Sequence, residues 1–347
     1  MLSKISTKEI TRFTGQLATL LEARMPLLKS LEILSKDNEN KEFKQILKKV
    51  CSKIKEGVPF SEILKKYPEY FSTFYINLVR VGEETGHISE MLHRINEYMV
   101  GNEELKQKFI QAMLYPVVVV FVSIAAVVFL LIYVVPEFEI MFKNNNADLP
   151  NITQFVLSMS AILQSYGLFI FLGLCTFAFT FSYYIRTKAG YKWGSKWVLQ
   201  IPLIGPYLKK VFVTRLCMIL AVLIEAKISL LQALTIAKTS IKNDVVVKEI
   251  GKMATFASRG DRLTDSLVKS KLFPEMITQM LMVGEETAKI DTMLKSVAEY
   301  YQEEVSRATD RLAIIIEPLI LIVLGLIVGT IVISIYLPMF ELGNLMG

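Results

Sequence analysis

One stretch of this chain is written twice. Val81-Gly82-Glu83-Glu84-Thr85 returns as Val283-Gly284-Glu285-Glu286-Thr287, an offset of 202 residues. At the same offset Phe71 meets Phe273, Glu97-Tyr98 meets Glu299-Tyr300, Pro116 meets Pro318, and Pro136 meets Pro338. Upstream the offset is 203: Glu22-Ala23 matches Glu225-Ala226, Leu27 matches Leu230, and Gly57 matches Gly260. A one-residue slip between Gly57 and Phe71 accounts for the change. An ordered series of this length is not a chance match, so the fold must accommodate two copies of one unit.

Each copy ends on an apolar run. A membrane-spanning helix needs about 20 apolar residues to cross the hydrocarbon layer. The first run is free of charge from Phe109 to Pro136, with its apolar heart at 116–135. The third is 318–337, followed by a short tail. Between them Leu149–Ile185 is also free of charge, and its first half carries Asn151, Gln154 and Gln164, which moves the expected span to 166–185. Overall 52% of the residues are hydrophobic and 21% charged, a balance that suits a few spans attached to water-soluble parts. The three cysteines, Cys51, Cys175 and Cys217, are odd in number and far apart, so they read as reduced, buried thiols.

Orientation follows from lysine and arginine beside the spans. The stretch from Glu137 to Ser165 holds only Lys143, with Glu137, Glu139 and Asp148. After the second span come Arg186, Lys188, Lys192, Lys196, Lys209, Lys210 and Arg215 before any acid. Met1–Thr14 carries Lys4, Lys8, Glu9 and Arg12 without an apolar stretch, so the start reads as untranslocated. The expected division is a cytoplasmic bundle over 1–115, spans over 116–135, 166–185 and 318–337, an extracytoplasmic loop over 136–165, a second cytoplasmic bundle over 186–317, and an extracytoplasmic tail over 338–347. The second span has no counterpart in the repeat. It returns the chain so that the second copy enters the membrane in the same direction as the first. The net charge of +6 is therefore positive-inside bias and implies no nucleic-acid partner.

The copies read as helical. Ile10, Phe13, Leu17, Leu20 and Leu21 share one helix face, preceded by the capping box Ser6-x-x-Glu9. Met25-Pro26 restarts a second helix, Phe74, Leu78 and Val81 line another, and Ile88, Leu92, Ile95 and Met99 one more. No sustained period-two alternation occurs. The fold class expected is an all-α integral membrane protein: two homologous helical bundles of about five or six helices each, and three transmembrane helices.

The paired Gly-Glu-Glu-Thr motifs, each followed by a helix and a Pro-bounded span, resemble the inner-membrane platform proteins of type II secretion and type IV pilus machines, the GspF/PilC family. The likeness covers both repeats and all three spans, including the Glu317-Pro318 and Leu337-Pro338 borders. It implies a plasma-membrane protein with no enzymatic activity and no cofactor. The partners implied are a hexameric cytoplasmic assembly ATPase, pilin or pseudopilin transmembrane helices, other inner-membrane assembly proteins, and further copies of the chain itself. Ala288 stands where the first copy has Gly86, so a role that needs glycine there applies to one copy only.

Three sets of residues stand out. Glu83, Glu84, Glu285 and Glu286 form either an acidic docking surface or part of a helix corner. In the corner reading Gly82 and Gly284 belong to the same structural motif. Gly86 ends one helix with a positive φ, and Ser89 and its counterpart Asp291 cap the next. Glu317 abuts the third span, where an ionisable group is either functional or simply reaches water at the border; its counterpart is Tyr115. Gly325-x-x-x-Gly329 permits close helix approach, to another subunit or to a neighbouring span. Pro116 and Pro318 mark where the spans begin.

Enzymatic signatures are missing. No phosphate-binding glycine loop occurs, and no cysteine pair has ligand spacing. The only histidines, His87 and His93, point about 120° apart on one helix. A small oligomeric transporter or channel is the alternative from another class. It has little to work with, since the spans carry almost no charge.

Overall fold

The structure, a computed structural model, describes residues 5–144, 150–202, 204–241, 243–268, 270 and 272–346. Lys4 and Asp148, used above for orientation, lie outside the described residues. Among those described, the regular structure is all helical.

The first copy runs through α1 (Thr7–Glu22), α2 (Leu27–Asp37), α3 (Lys41–Lys55), α4 (Phe60–Leu64), α5 (Thr73–Thr85) and α6 (Ile88–Phe129). A π-helical turn, Leu130–Val134, leads into α7 (Val135–Asn144). Helices α8 (Asn151–Arg186) and α9 (Lys188–Val198) have no partner in the repeat. The second copy follows as α10 (Ile204–Glu225), α11 (Leu230–Ser240), α12 (Asp244–Arg259), α13 (Leu263–Val268), α14 (Glu275–Glu286) and α15 (Ile290–Met346). The starts of α2, α3 and α4 recur 203 residues later, and that of α6 recurs 202 later, which places the slip between α4 and α6.

The repeat is legible in the backbone. Each residue described with positive φ has its counterpart in the other copy: Arg24 with Lys227, Gly57 with Gly260, and Gly86 with Ala288. The hydrogen bonds repeat as well. Met25 N–H reaches Leu20 O at 3.1 Å, and Ile228 N–H reaches Leu223 O at 3.0 Å. Val58 N–H reaches Lys53 O and Asp261 N–H reaches Phe256 O, both at 3.1 Å. A left-handed residue lets the chain fold back and satisfy carbonyls that a helix end leaves open.

Residues 1–107 and 195–307 form one compact unit. The two homologous bundles share a single contiguous core that runs from Ile5 to Tyr301. In the first copy Phe13 meets Phe43 edge-on, with ring centres 5.2 Å apart. The Thr14 hydroxyl lies 3.1 Å from the Tyr75 hydroxyl, with both side chains buried. The second copy puts Cys217 and Ile277 at these places, also buried, so a polar pair is exchanged whole for an apolar one. Neither arrangement strands a hydrogen-bonding group.

Residues 108–194 and 308–347 form the other unit. Among the described residues three helical segments are long and apolar enough to cross a membrane: Ile88–Phe138, Asn151–Ile185 and Ile290–Pro338. Pro116 and Pro318, where the spans are expected to begin, lie inside unbroken helices. The expected loop over 136–165 is helical in both described parts, α7 and the start of α8. A small cluster of Leu131, Val135, Val156 and Ile331 joins the three helices there.

Polar residues of α8 explain how proline is accommodated. Pro136 has no N–H to offer the carbonyls four and five residues back, and Pro338 none for Ser334. Ser160 Oγ donates to Leu131 O, Gln164 Nε2 approaches Ile132 O at 3.4 Å, and Thr153 Oγ1 donates to Ser334 O at 2.7 Å. Neighbouring hydroxyls re-satisfy backbone groups freed by proline where water is excluded. The polar residues that pushed the expected span toward 166–185 thus have a structural task, and the helix is continuous from Asn151.

Candidate functional site

The glycine, the first glutamate and the threonine of the repeated motif each have a local duty. Gly82 lets α5 and α6 approach: a Cβ there would stand 2.8 Å from Ile88 Cα, which no side chain tolerates. At Gly284 the added Cβ would lie 3.1 Å from Met293 Cγ and 3.2 Å from Ile290 Cα. The first glutamate turns inward. Glu83 accepts from the Phe60 and Ser61 N–H groups and the Ser61 hydroxyl, at the N-terminus of α4. Glu285 accepts from Leu263 N–H at 2.6 Å and the Thr264 hydroxyl at 2.8 Å, the same two places in α13. A carboxylate suits these sites because a helix N-terminus presents unpaired donors and partial positive charge.

The second glutamate faces out. Glu84 lies 3.6 Å from Arg80 and Glu286 4.0 Å from Arg262, both well exposed. The threonine hydroxyls of Thr85 and Thr287 each donate 2.7 Å to the carbonyl four residues back. Gly86 closes α5 in the left-handed region at φ 76°, and Ala288 adopts φ 55° at the same place. The left-handed turn therefore occurs in both copies, contrary to the expectation from Ala288. Ser89 and Asp291 are not caps. Helix α6 begins at Ile88 and α15 at Ile290, because the left-handed residue brings the turn forward. The Ser89 hydroxyl donates instead to Ala18 O of α1, at 3.2 Å. The four acids thus divide into an inward pair, Glu83 and Glu285, and an outward pair, Glu84 and Glu286.

In the other unit, counterparts meet each other. Tyr115 donates toward Glu317 Oε1 at 3.4 Å, and Lys108 pairs with Asp310 at 3.0 Å. Both pairs are separated by the repeat offset. Equivalent residues touching across two parallel helices is what a local two-fold axis along α6 and α15 requires. Glu317 is exposed, so the Tyr115 contact leaves part of it to its surroundings. Further along, the same helices leave an apolar cleft of about 270 Å³ lined by Val120, Ile124, Val128, Leu319, Val323 and Ile327. Gly325 and Gly329 have open space where a Cβ would go, so neither packs tightly on a neighbouring span.

Cys51 and Cys217 are buried as expected, but Cys175 of α8 is exposed. Burial pushes the pKa of the Cys217 thiol up to about 12 and raises that of Cys51, so both are poor nucleophiles. The Ser6 N–H bond holds the Glu9 carboxyl below its ordinary value, and the capping box is complete, with Glu9 at 2.7 Å from Ser6 N. Among the described residues no group of three histidine, cysteine or acidic side chains gathers as metal ligands. Arg94, 17% exposed, joins the copies through Glu225 of α10 and holds Glu90 at 2.7 Å on its own helix.

Sequence reasoning missed Thr153, Ser160 and Arg94. The polar residues near the start of α8 were the available signal for the first two. Nothing in the spacing announced the third.

A duplicated domain, helical throughout, with paired corners and three apolar helices defines a duplicated membrane-helix protein. Residues 13–136 and 216–338 each match the family described as type II secretion system (T2SS), protein F, and the two matches begin 203 residues apart, at the offset of the internal repeat. The chain belongs to that family. It is 34% identical over 345 residues to a type IV pilus assembly protein PilC of Pseudomonas aeruginosa, covering 99% of this chain and 92% of that one. It is 35% identical over 344 residues to a PilC of Myxococcus xanthus, covering 98% and 82%. A type II secretion system protein F of Xanthomonas campestris is 32% identical over 338 residues, covering 97% and 84%.

Proposed function

We propose that the protein is a non-enzymatic inner-membrane platform for assembly of a type IV pilus or a type II secretion pseudopilus. It couples a hexameric cytoplasmic ATPase to insertion or extraction of pilin-like subunits. The observation that carries this reading is the pair α6 and α15. Each helix starts at a Gly-Glu-Glu-Thr corner and runs without interruption into a charge-free stretch long enough to span a bilayer. A movement of the helical core is thereby passed along two levers at once. The exposed Glu84 and Glu286 are the docking candidates among the four acids, and the apolar cleft between α6 and α15 is where a pilin-like membrane helix engages. Gly325 and Gly329 are left for contact with another copy. The N-terminus is cytoplasmic and the C-terminus extracytoplasmic.

An in-frame deletion, complemented in trans, tests the process. Electron microscopy scores surface filaments and mass spectrometry scores secreted proteins. Loss of filaments alone makes it a pilus platform, and loss of secretion alone a secretion platform; no change in either sinks the reading. A Gly-Gly insertion at Asn102 or Ser306 tests the lever. It is expected to abolish assembly while leaving the protein in the membrane, and normal filaments would refute it.

A further inference from the structure

Helix α9 is absorbed neither by the repeat nor by the platform reading, and its build is distinctive. A single residue, Thr187, separates it from the end of the apolar helix α8. The corner between them is made on purpose. The Thr187 hydroxyl accepts from Gly190 N–H at 3.2 Å, capping α9, and donates to Tyr184 O at 2.6 Å, closing α8. A Cβ at Gly190 would run into that same Tyr184 carbonyl, so only glycine allows the approach. One side of α9 is held. Ser195 is buried, and its carbonyl accepts from Asn243, whose side-chain oxygen caps α12.

The other side presents large rings. The chain has two tryptophans, and both lie on α9, four residues apart and therefore on one face. Trp193 is 50% and Trp197 54% exposed, and Val198, Ile201 and Ile204, which follow in the chain, are exposed as well. Lys196 is exposed, and in the sequence Lys192 and Lys188 stand four and eight residues before it. No aspartate or glutamate occurs anywhere from residue 149 to residue 224. A short helix with tryptophan on one side and lysine beside it, joined directly to a membrane-length helix, has the composition of a segment lying in the plane of a bilayer surface.

We propose that α9 is an interfacial anchor whose tryptophans sit at the headgroup level and whose lysines bind anionic phospholipid headgroups. Its charge selects the occupant: a strip of one sign without intervening acid suits phosphate-bearing lipid. The proposal rests on α8 crossing the bilayer and not on the identity of the ATPase or pilin, so it stands or falls separately from the platform reading.

Tryptophan emission reports on α9 alone. The full-length protein is reconstituted into vesicles of phosphatidylcholine with and without phosphatidylglycerol. Its emission is challenged with lipids brominated high on the acyl chain and with water-soluble acrylamide. The expected result is strong quenching by the brominated lipid and weak quenching by acrylamide. Trp193→Phe and Trp197→Phe then read each position singly. Preference for phosphatidylglycerol, measured from lipid retained on the purified protein, is expected to fall about five-fold for each of Lys188→Gln, Lys192→Gln and Lys196→Gln. Free access of acrylamide without quenching by brominated lipid would overturn the proposal and mark α9 as a surface for a soluble protein. Membrane contact with no phosphatidylglycerol preference, or a preference untouched by the three substitutions, would overturn its headgroup part.

Discussion

At the residue scale, the two copies solve one backbone problem with different side chains. Gly86 occupies the left-handed region freely, whereas Ala288 holds it against a steric cost of about 1 kcal/mol. Ala288→Gly is therefore expected to stabilise the folded protein by about 1 kcal/mol and Gly86→Ala to destabilise it by a similar amount. Thermal unfolding of the detergent-solubilised chain reads both shifts, and equal responses of opposite copies to the same residue would contradict the assignment. The two glutamates of each motif separate in the same assay. Glu83→Ala removes the acceptor for three donors at the start of α4 and should cost about 2 kcal/mol. Glu84→Ala removes an exposed ion pair and should cost less than about 1 kcal/mol. If Glu84 docks a partner, its loss weakens assembly without lowering the unfolding temperature; a Glu84 variant that assembles normally removes it from the docking surface.

At the scale of elements, the non-repeated helix α8 serves both repeated ones. Its Ser160 and Thr153 supply hydrogen bonds that Pro136 and Pro338 cannot. Ser160→Ala or Thr153→Val should each cost about 1 kcal/mol, the usual range for an interhelical hydrogen bond in a membrane protein. The cause is checked by a double-mutant cycle. Pro136→Ala restores an N–H to the helix, so Ser160→Ala should cost less in that background than in the native one. An unchanged cost would show that the hydroxyl acts through packing and not by replacing the missing donor.

At the scale of the whole molecule, duplication brings the copies into contact with each other. The shared core and the Arg94–Glu225 pair make the 1–107 and 195–307 segments one unit. Arg94 is mostly buried, so Arg94→Ala leaves Glu225 and Glu90 without their shared partner. It should lower stability by about 2 kcal/mol, whereas Arg307→Ala, at an exposed pair, should change it little. Equal effects of the two substitutions would argue that the copies cohere through apolar packing alone.

The repeat, the helical class and the three apolar runs were legible in the order of residues, because each is a periodicity or a composition that local physics enforces. Gly82, Gly86 and the Ser6–Glu9 box were readable for the same reason: their duties involve neighbours close in sequence. What the chain could not announce were duties defined by distant partners. The inward turn of Glu83 depends on where α4 lies, the tasks of Thr153 and Ser160 on which carbonyls the prolines leave open, and the pairing of Tyr115 with Glu317 on how α6 meets α15. Tertiary structure also decided that the two copies share one core. A hydrophobic face in sequence states that it will be buried, but only packing states against what.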